Sequence, residues 1–288
     1  MKKKMKKIKF LFLLLPFVIT VSCNKEEDLS AIVEGLGGEK INKLPIDDWL
    51  AQNFTKPFNI EVKYRWDPFE VPLDRTLVPP LVSKVQPTME AVKKIWIDPY
   101  IKVAGEDFIK KYCPKQYVLV GSANWNTDGT IVLGTAEGGR KVILYQINNF
   151  DKKNVPIVKE MLHTIHHEFA HILHQNILYP IAYKQITPGT YTSNWYNISE
   201  EEALNFGYVT SYSMLNPDED FVEMVATLLV DGQAVFNARL ATLKTNPGAK
   251  DALIKKQQMV IDYFLKTYNI NFKTLQNITQ TEIANFTK

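Results

Sequence analysis

Cysteine is nearly missing from this chain: only Cys23 and Cys113 occur in 288 residues. No cysteine-based metal site can be built from them, and stability has to come from packing. Long apolar runs are missing too. The run from Phe10 to Val21 is the notable one, and it falls short of the roughly 20 residues a membrane-spanning helix needs. Neither sign of charge dominates, since 34 lysines and arginines face 31 aspartates and glutamates for a net charge of +3. Six lysines stand within the first nine residues, so removal of that segment takes the net charge from +3 to −3. A nucleic-acid partner thereby loses its electrostatic support. "EGLGGEK" has glycines but not the spacing of a phosphate loop, and no Lys-Ser/Thr pair follows. What is there is ordinary globular material, 45% hydrophobic and 23% charged, enough to bury a full core. All five histidines are packed into "HTIHHEFAHILHQ", from His163 to His174.

The opening "MKKKMKKIKFLFLLLPFVITVSC" has a lysine-rich head, an apolar run and a small residue before Cys23, the pattern of a secretory signal. Because the run stops at Ser22-Cys23, it resembles a bacterial lipoprotein signal with a loose lipobox. That resemblance implies removal of residues 1–22 and acylation of Cys23. A plain signal with an incidental cysteine is the blander alternative. Asn24 is not the aspartate that retains lipoproteins at the inner membrane, and Lys25-Glu26-Glu27-Asp28 resembles the export tag of surface lipoproteins in the Bacteroidetes lineage. The implied location is the outer membrane, facing outward, with the N-terminal lipid as the sole membrane contact. Residues 23–44 then read as a tether and 45–288 as the working domain. Cys113 reads as a buried small hydrophobe.

Along that domain, "NIEVKYRW" alternates like a strand and a proline-rich connection follows it. Apolar residues between Thr88 and Tyr112 recur at near-helical spacing, with Pro99 a candidate break. The runs "QYVLVGSA", "GTIVLGTA" and "RKVILYQIN" are separated by turn sequences and predict an antiparallel meander. From Val155 to about Tyr179 there is no glycine, and proline occurs only at Pro156, where a helix start tolerates it. Two more helices are expected around Asp218–Leu243 and Ala249–Tyr268. A sheet first and helices after it make an α+β architecture.

At about 100° per residue, His167 and His171 project from one helical face one turn apart, where two imidazoles can grip one metal ion. With Glu168 between them, "HEFAH" is the H-E-x-x-H pattern: two histidines hold zinc and the glutamate acts as general base on the attacking water. A pair of satisfied core histidines is the structural alternative. His163 and His174 sit about 7 Å along the axis from a metal so held and do not reach it. They and His166 are expected to orient the ligands or line the groove, His174 foremost. No glycine follows before Gly189, which excludes the three-histidine arrangement that turns at a glycine.

A third ligand must come from elsewhere, and "SYSMLNPDEDFVEMVA" offers Glu219, Asp220 and Glu223. Glu219 and Glu223 share a helical face, whereas Asp220 points about 100° away from Glu219. This stretch resembles, without gaps, the corresponding stretch of the anthrax lethal factor protease family, in which a tyrosine stands seven residues before the ligand glutamate and a second glutamate four after it. Tyr212, Glu219 and Glu223 fall at those positions. The resemblance implies Glu219 as ligand, Tyr212 as a stabiliser of the oxyanion or leaving group, and Glu223 as the group that orients a ligating histidine. Asp220 stands where that family has phenylalanine, so all three acids stay open as the third ligand.

The lipoprotein signal, "HHEFAHILHQ" and "NPDEDFVE" together resemble the substrate import-associated zinc metallohydrolase lipoproteins, a zinc metallopeptidase family found with TonB-linked outer-membrane import systems. The resemblance implies a gluzincin-like enzyme of zincin-like α+β fold with one Zn²⁺ per chain and a protein or peptide substrate. TonB-linked import components are the implied partners. The substrate is expected to pair with an edge strand, with "RKVILYQIN" the first choice. The rival is a non-catalytic peptide- or glycan-binding lipoprotein of an import complex, using Trp125, Trp195 and Tyr196 as stacking surfaces. An intact Glu168 favours the enzyme, because a glutamate that is not a ligand has little purpose in a purely structural zinc site.

Overall fold

The computed structural model describes residues 42–127, 129–132, 134–137 and 140–288. The signal segment, Cys23 and all but the last three residues of the tether lie outside that description. Residues Leu44–Lys288 form one compact unit.

Four strands make its main sheet: β1 (Glu61–Lys63), β2 (Gln116–Leu119), β5 (Gly134–Glu137) and β6 (Lys141–Leu144), in the order β1-β2-β6-β5. β1 pairs with β2, and β2 with β6, in parallel; only β5 runs antiparallel to its neighbour. The expected meander is therefore corrected to a mixed sheet, and the hairpin β3 (Asn124–Trp125) with β4 (Ile131–Val132) forms a separate two-stranded sheet. The reason is two-sided burial. Tyr117, Leu119, Val142 and Leu144 face the main core, while Val118 and Ile143 pack in a second cluster with Val120 and Tyr145. Strands apolar on both faces belong inside a sheet, where parallel pairing is favoured. Hence β6, expected at an edge, lies between β2 and β5, and the edge next to it is β5.

Helices α1 (Pro45–Leu50), α2 (Val82–Ala91), α3 (Asp98–Ala104) and α4 (Glu106–Tyr112) precede or flank the first strands. Pro99 does not break the run; α3 ends at Gly105, whose φ of +84° suits glycine. The long helix α5 (Val155–Asn176) carries all the histidines, and Asn154 accepts a hydrogen bond from the Ile157 N–H at its start. Phe169 on α5 meets Trp96, Tyr100 and Phe108 edge-on, the geometry aromatic quadrupoles prefer. The helix stops at Asn176, earlier than expected, because Ile177 turns to an extended backbone. Its last carbonyls are taken from outside: Tyr268 donates to the Leu173 carbonyl and Tyr263 to that of Ile177, each at 2.6 Å.

After the short α6 (Glu200–Asn205), α7 (Pro217–Val230) packs along α5. The helix expected over Asp218–Leu243 is in fact two, α7 and α8 (Gly232–Thr242), bent by 118° at Gly232, where φ is +85°. Gln280 closes the end of α7 by donating to the Leu229 and Val230 carbonyls. It belongs to α10 (Phe272–Phe286), a helix the sequence reading did not anticipate, which follows α9 (Pro247–Tyr268). Every residue of α7 from Asp220 to Val230 is buried, so this is the central helix of the molecule.

Candidate metal centre

The start of α7 and the middle of α5 bring the polar groups together. On α7, the Asn216 side chain accepts from the Asp218 and Glu219 N–H groups at 2.8 and 3.0 Å, and Pro217 supplies the preset first turn. That fixes Glu219 and Glu223 on the face of α7 turned toward α5. Glu219 Oε2 then lies 3.1 Å from His167 Nε2 and 3.2 Å from His171 Nε2. The three donor atoms are all within 4.8 Å of one another. Ligands about 2.0–2.2 Å from a tetrahedral zinc ion stand roughly 3.3 Å apart, so the spacing fits one.

The remaining nitrogens are occupied in the way a ligand pair requires. His167 Nδ1 donates to Glu223 Oε1 at 2.8 Å, and His171 Nδ1 lies 3.0 Å from His174 Nε2. With Nδ1 committed to these partners, both Nε2 atoms face the common point, where their lone pairs would be available to an ion that displaces a proton. Burial pushes His174 down to about 4, so it is neutral and able to accept the hydrogen bond from His171 Nδ1. Glu223 is held on both oxygens: His163 Nε2 donates to Oε1 at 2.8 Å and Thr210 Oγ1 to Oε2 at 2.7 Å. His163, His167 and Glu223 also lie close enough to be a metal group. Yet that set omits His171, whereas the Glu219 set joins both histidines of the H-E-x-x-H pair through their Nε2 atoms.

Charge follows the same lines. Burial alone would depress His167, but its bonds to Glu219 and Glu223 outweigh that and lift it to about 10. Burial opposes the ionised Glu219 as well, and the two imidazoles still hold it down at about 2. Glu223 is driven well below the carboxylate range, its burial overcome by His163 and His167. In the metal-free protein this is an imidazolium gripped by carboxylates, and a divalent cation bound there would replace its proton.

Glu168 and Tyr212 line one cavity of about 400 Å³ together with His163, His167 and Gly134. The Tyr212 ring lies 5.9 Å from that of His167 and is braced edge-on by Trp195 at 4.8 Å. Burial, then the Glu219, Glu223 and Glu168 carboxylates, raise its hydroxyl, which stays a proton donor. Gly134 brings the β5 edge close against α5: a Cβ there would come within 2.3 Å of Thr164 Cγ2. Sequence reasoning passed over Gly134, Thr210 and His163's partner. Only "GTA" within "GTIVLGTA" hinted at a close backbone approach.

Two expectations change. His166, expected to orient a ligand or line the groove, is fully buried beside Tyr100 at 5.9 Å. Among the described residues neither of its nitrogens has a partner, and burial lowers it to about 3. It sits about 100° round the helix from His167, on the core side. Asp220, an open choice for the third ligand, points away from the centre. Its Oδ2 pairs with Lys256 Nζ at 2.7 Å, both side chains fully buried, and Tyr191 and Tyr183 donate to its carboxylate.

Known proteins agree with this picture. Residues 39–273 match the model of a family described as "Putative zinc-binding metallo-peptidase". A crystal structure under the same description, from Bacteroides caccae ATCC 43185, is 34% identical, with a TM-score of 0.73 over 87% of this chain and 95% of that one. No curated protein matches. The chain thus shares the fold of that structure, and it belongs to this zinc-binding metallopeptidase family.

Proposed function

We propose that the protein hydrolyses peptide bonds with one zinc ion held by His167, His171 and Glu219. The observation that carries the reading is the convergence of the two Nε2 atoms and Glu219 Oε2 at 3.1–3.2 Å. When bound, zinc supplies a Lewis acid that polarises a carbonyl and acidifies water. Glu168 takes the proton from the attacking water and passes it to the leaving amine. Tyr212 donates a hydrogen bond to the oxyanion. Glu223, fixed by His163 and Thr210, holds the His167 ring in its tautomer, and His174 does the same for His171. The substrate backbone pairs with β5, the antiparallel edge that Gly134 brings against α5.

The cellular setting belongs to the same proposal: Cys23 carries the lipid, the chain sits on the outer membrane facing outward, and it works beside an import system. The signal pattern and the Lys25–Asp28 run support that setting. Glu168→Gln is expected to keep about one zinc per chain while hydrolysis of a peptide library falls roughly 10²- to 10⁴-fold, the scale of a lost general base. Equal cleavage by the variant and the parent would remove the mechanism. Cys23→Ser is expected to abolish lipid labelling and move the protein to the soluble fraction; a variant that stays with the membrane after signal removal overturns the anchor.

A further inference from the structure

We propose that the cavity holding Glu168 and Tyr212 is a subsite for a basic substrate side chain, arginine or lysine, and that Glu200 is its counter-charge. The inference rests on the peptide-hydrolysis reading and adds a specificity to it.

The cavity offers three carboxylates, and two already have work. Glu168 is the proposed base, and Glu223 has both oxygens bonded to His163, His167 and Thr210. Glu200 differs. Glu200 is an exposed residue at the cavity's rim, and its Oε1 accepts from both the N–H and the Oγ of Ser211, at 3.1 and 2.8 Å, which fixes the carboxylate there. Among the described residues, no lysine, arginine or histidine pairs with it. The described lining includes no lysine or arginine at all. Arg75 reaches Asn126 at the margin, but its guanidinium is already bonded to the Trp125 carbonyl, to Asn126 Oδ1 at 3.0 Å and to Asp74. The same cavity is lined by the Trp195 and Tyr212 rings, set edge-on to each other. A fixed carboxylate next to aromatic rings is what a guanidinium or ammonium group prefers, because ring quadrupole and full charge attract it together. The same wall repels an acidic side chain.

Ser211 makes the test clean. Glutamine at position 200 keeps an Oε1 acceptor for both Ser211 donors and removes only the charge. Zinc-loaded Glu168→Gln protein, which binds without cleaving, is titrated with hexapeptides that differ at one position among Arg, Lys, citrulline, norleucine and Glu, each position scanned in turn. At one position Arg and Lys are expected to bind about tenfold tighter than citrulline or norleucine, the scale of a charged hydrogen bond with a cation–π contact, and Glu weakest. Adding Glu200→Gln is expected to bring Arg and citrulline within about twofold, and Trp195→Leu to lower the preference several-fold. Equal binding of Arg and citrulline, a preference that survives Glu200→Gln, or uniform weakening of every peptide overturns the subsite. If parent enzyme then cleaves all peptides alike, hydrolysis stands and the subsite falls. If it cleaves none while Arg peptides still bind through Glu200, the subsite stands and hydrolysis falls.

Discussion

The two sides of α7 bury charge in opposite ways. Toward α5, Glu219 meets two imidazoles whose outer nitrogens are tied back to Glu223 and His174, so their lone pairs and its carboxylate converge on one point. On the other side, the neighbouring Asp220 is answered completely within the chain. Lys256 Nζ donates to it and to the Gly207 carbonyl, lies 3.9 Å from the Tyr208 ring centroid, and Tyr183 and Tyr191 complete the cage. Burial acts on both members of that pair, raising Asp220 to about 6 and lowering Lys256. One residue apart in sequence, the first group could hold a cation from solution and the second has its own. The difference teaches that burial and strained titration do not mark a site; donors aimed at a shared point do.

Breaking each side separately sharpens that contrast. The largest effect is expected from Lys256→Met, which strands the Asp220 carboxylate and should cost about 3–5 kcal/mol in urea unfolding. The double change Lys256→Met with Asp220→Leu should recover most of it, because an apolar pair of similar volume is often neutral or better. A double variant as unstable as the single would make the cage more than a closed ion pair. On the α5 side, Glu219→Ala should leave unfolding of the metal-free protein less affected but lower zinc affinity by more than about 100-fold, beyond the range of outer partners. Competition with a chelator reads this directly, and retention of zinc there with its loss in His174→Ala would point to a three-histidine site.

Acid and base separate the sides as well. His167 is raised from 6.5 to about 10, so its contribution to the metal-free fold is complete below pH 6.5 and is lost as pH climbs toward 10. Glu219, lowered from 4.5 to about 2, contributes above pH 4.5 and is lost as pH falls toward 2. Stability from the pair therefore peaks between those limits, and denaturation with a chelator present should lose on the order of 2 kcal/mol from pH 6 to 8.5. With zinc the trend reverses, since the imidazoles must be unprotonated to ligate. His167→Ala should flatten the metal-free profile; an unchanged profile would assign it to other groups. For zinc affinity the smallest effect is expected for Glu223→Ala, a loss of about 10–100-fold read by the same chelator competition.

Much of the active helix was legible because its information is local. Pro156 marks its start, the glycine-free run sets its length, and the spacing of His167 and His171 places them on one face. The pairing of Glu219 with that face rested on a resemblance, and its geometry needed the Asn216 cap to be seen in place. The sheet was harder. The apolar runs in "QYVLVGSA" and "RKVILYQIN" identify strands, but direction depends on which elements cover both faces, and that is decided by residues far along the chain. Asp220 was illegible for the same reason: its partner Lys256 lies on another helix, and nothing near "PDEDF" announces it.

The tyrosine hydroxyls at the end of α5 have a consequence for when the protein can work. Leu173 and Ile177 give their carbonyls to groups 95 and 86 residues later in the chain. A nascent or clipped chain lacking α9 has the H-E-x-x-H turn but neither these caps nor Lys256 beneath α7. Contacts of such long range form only after nearly all of the chain is available. Assembly of the centre is thereby coupled to completion of the polypeptide through α9.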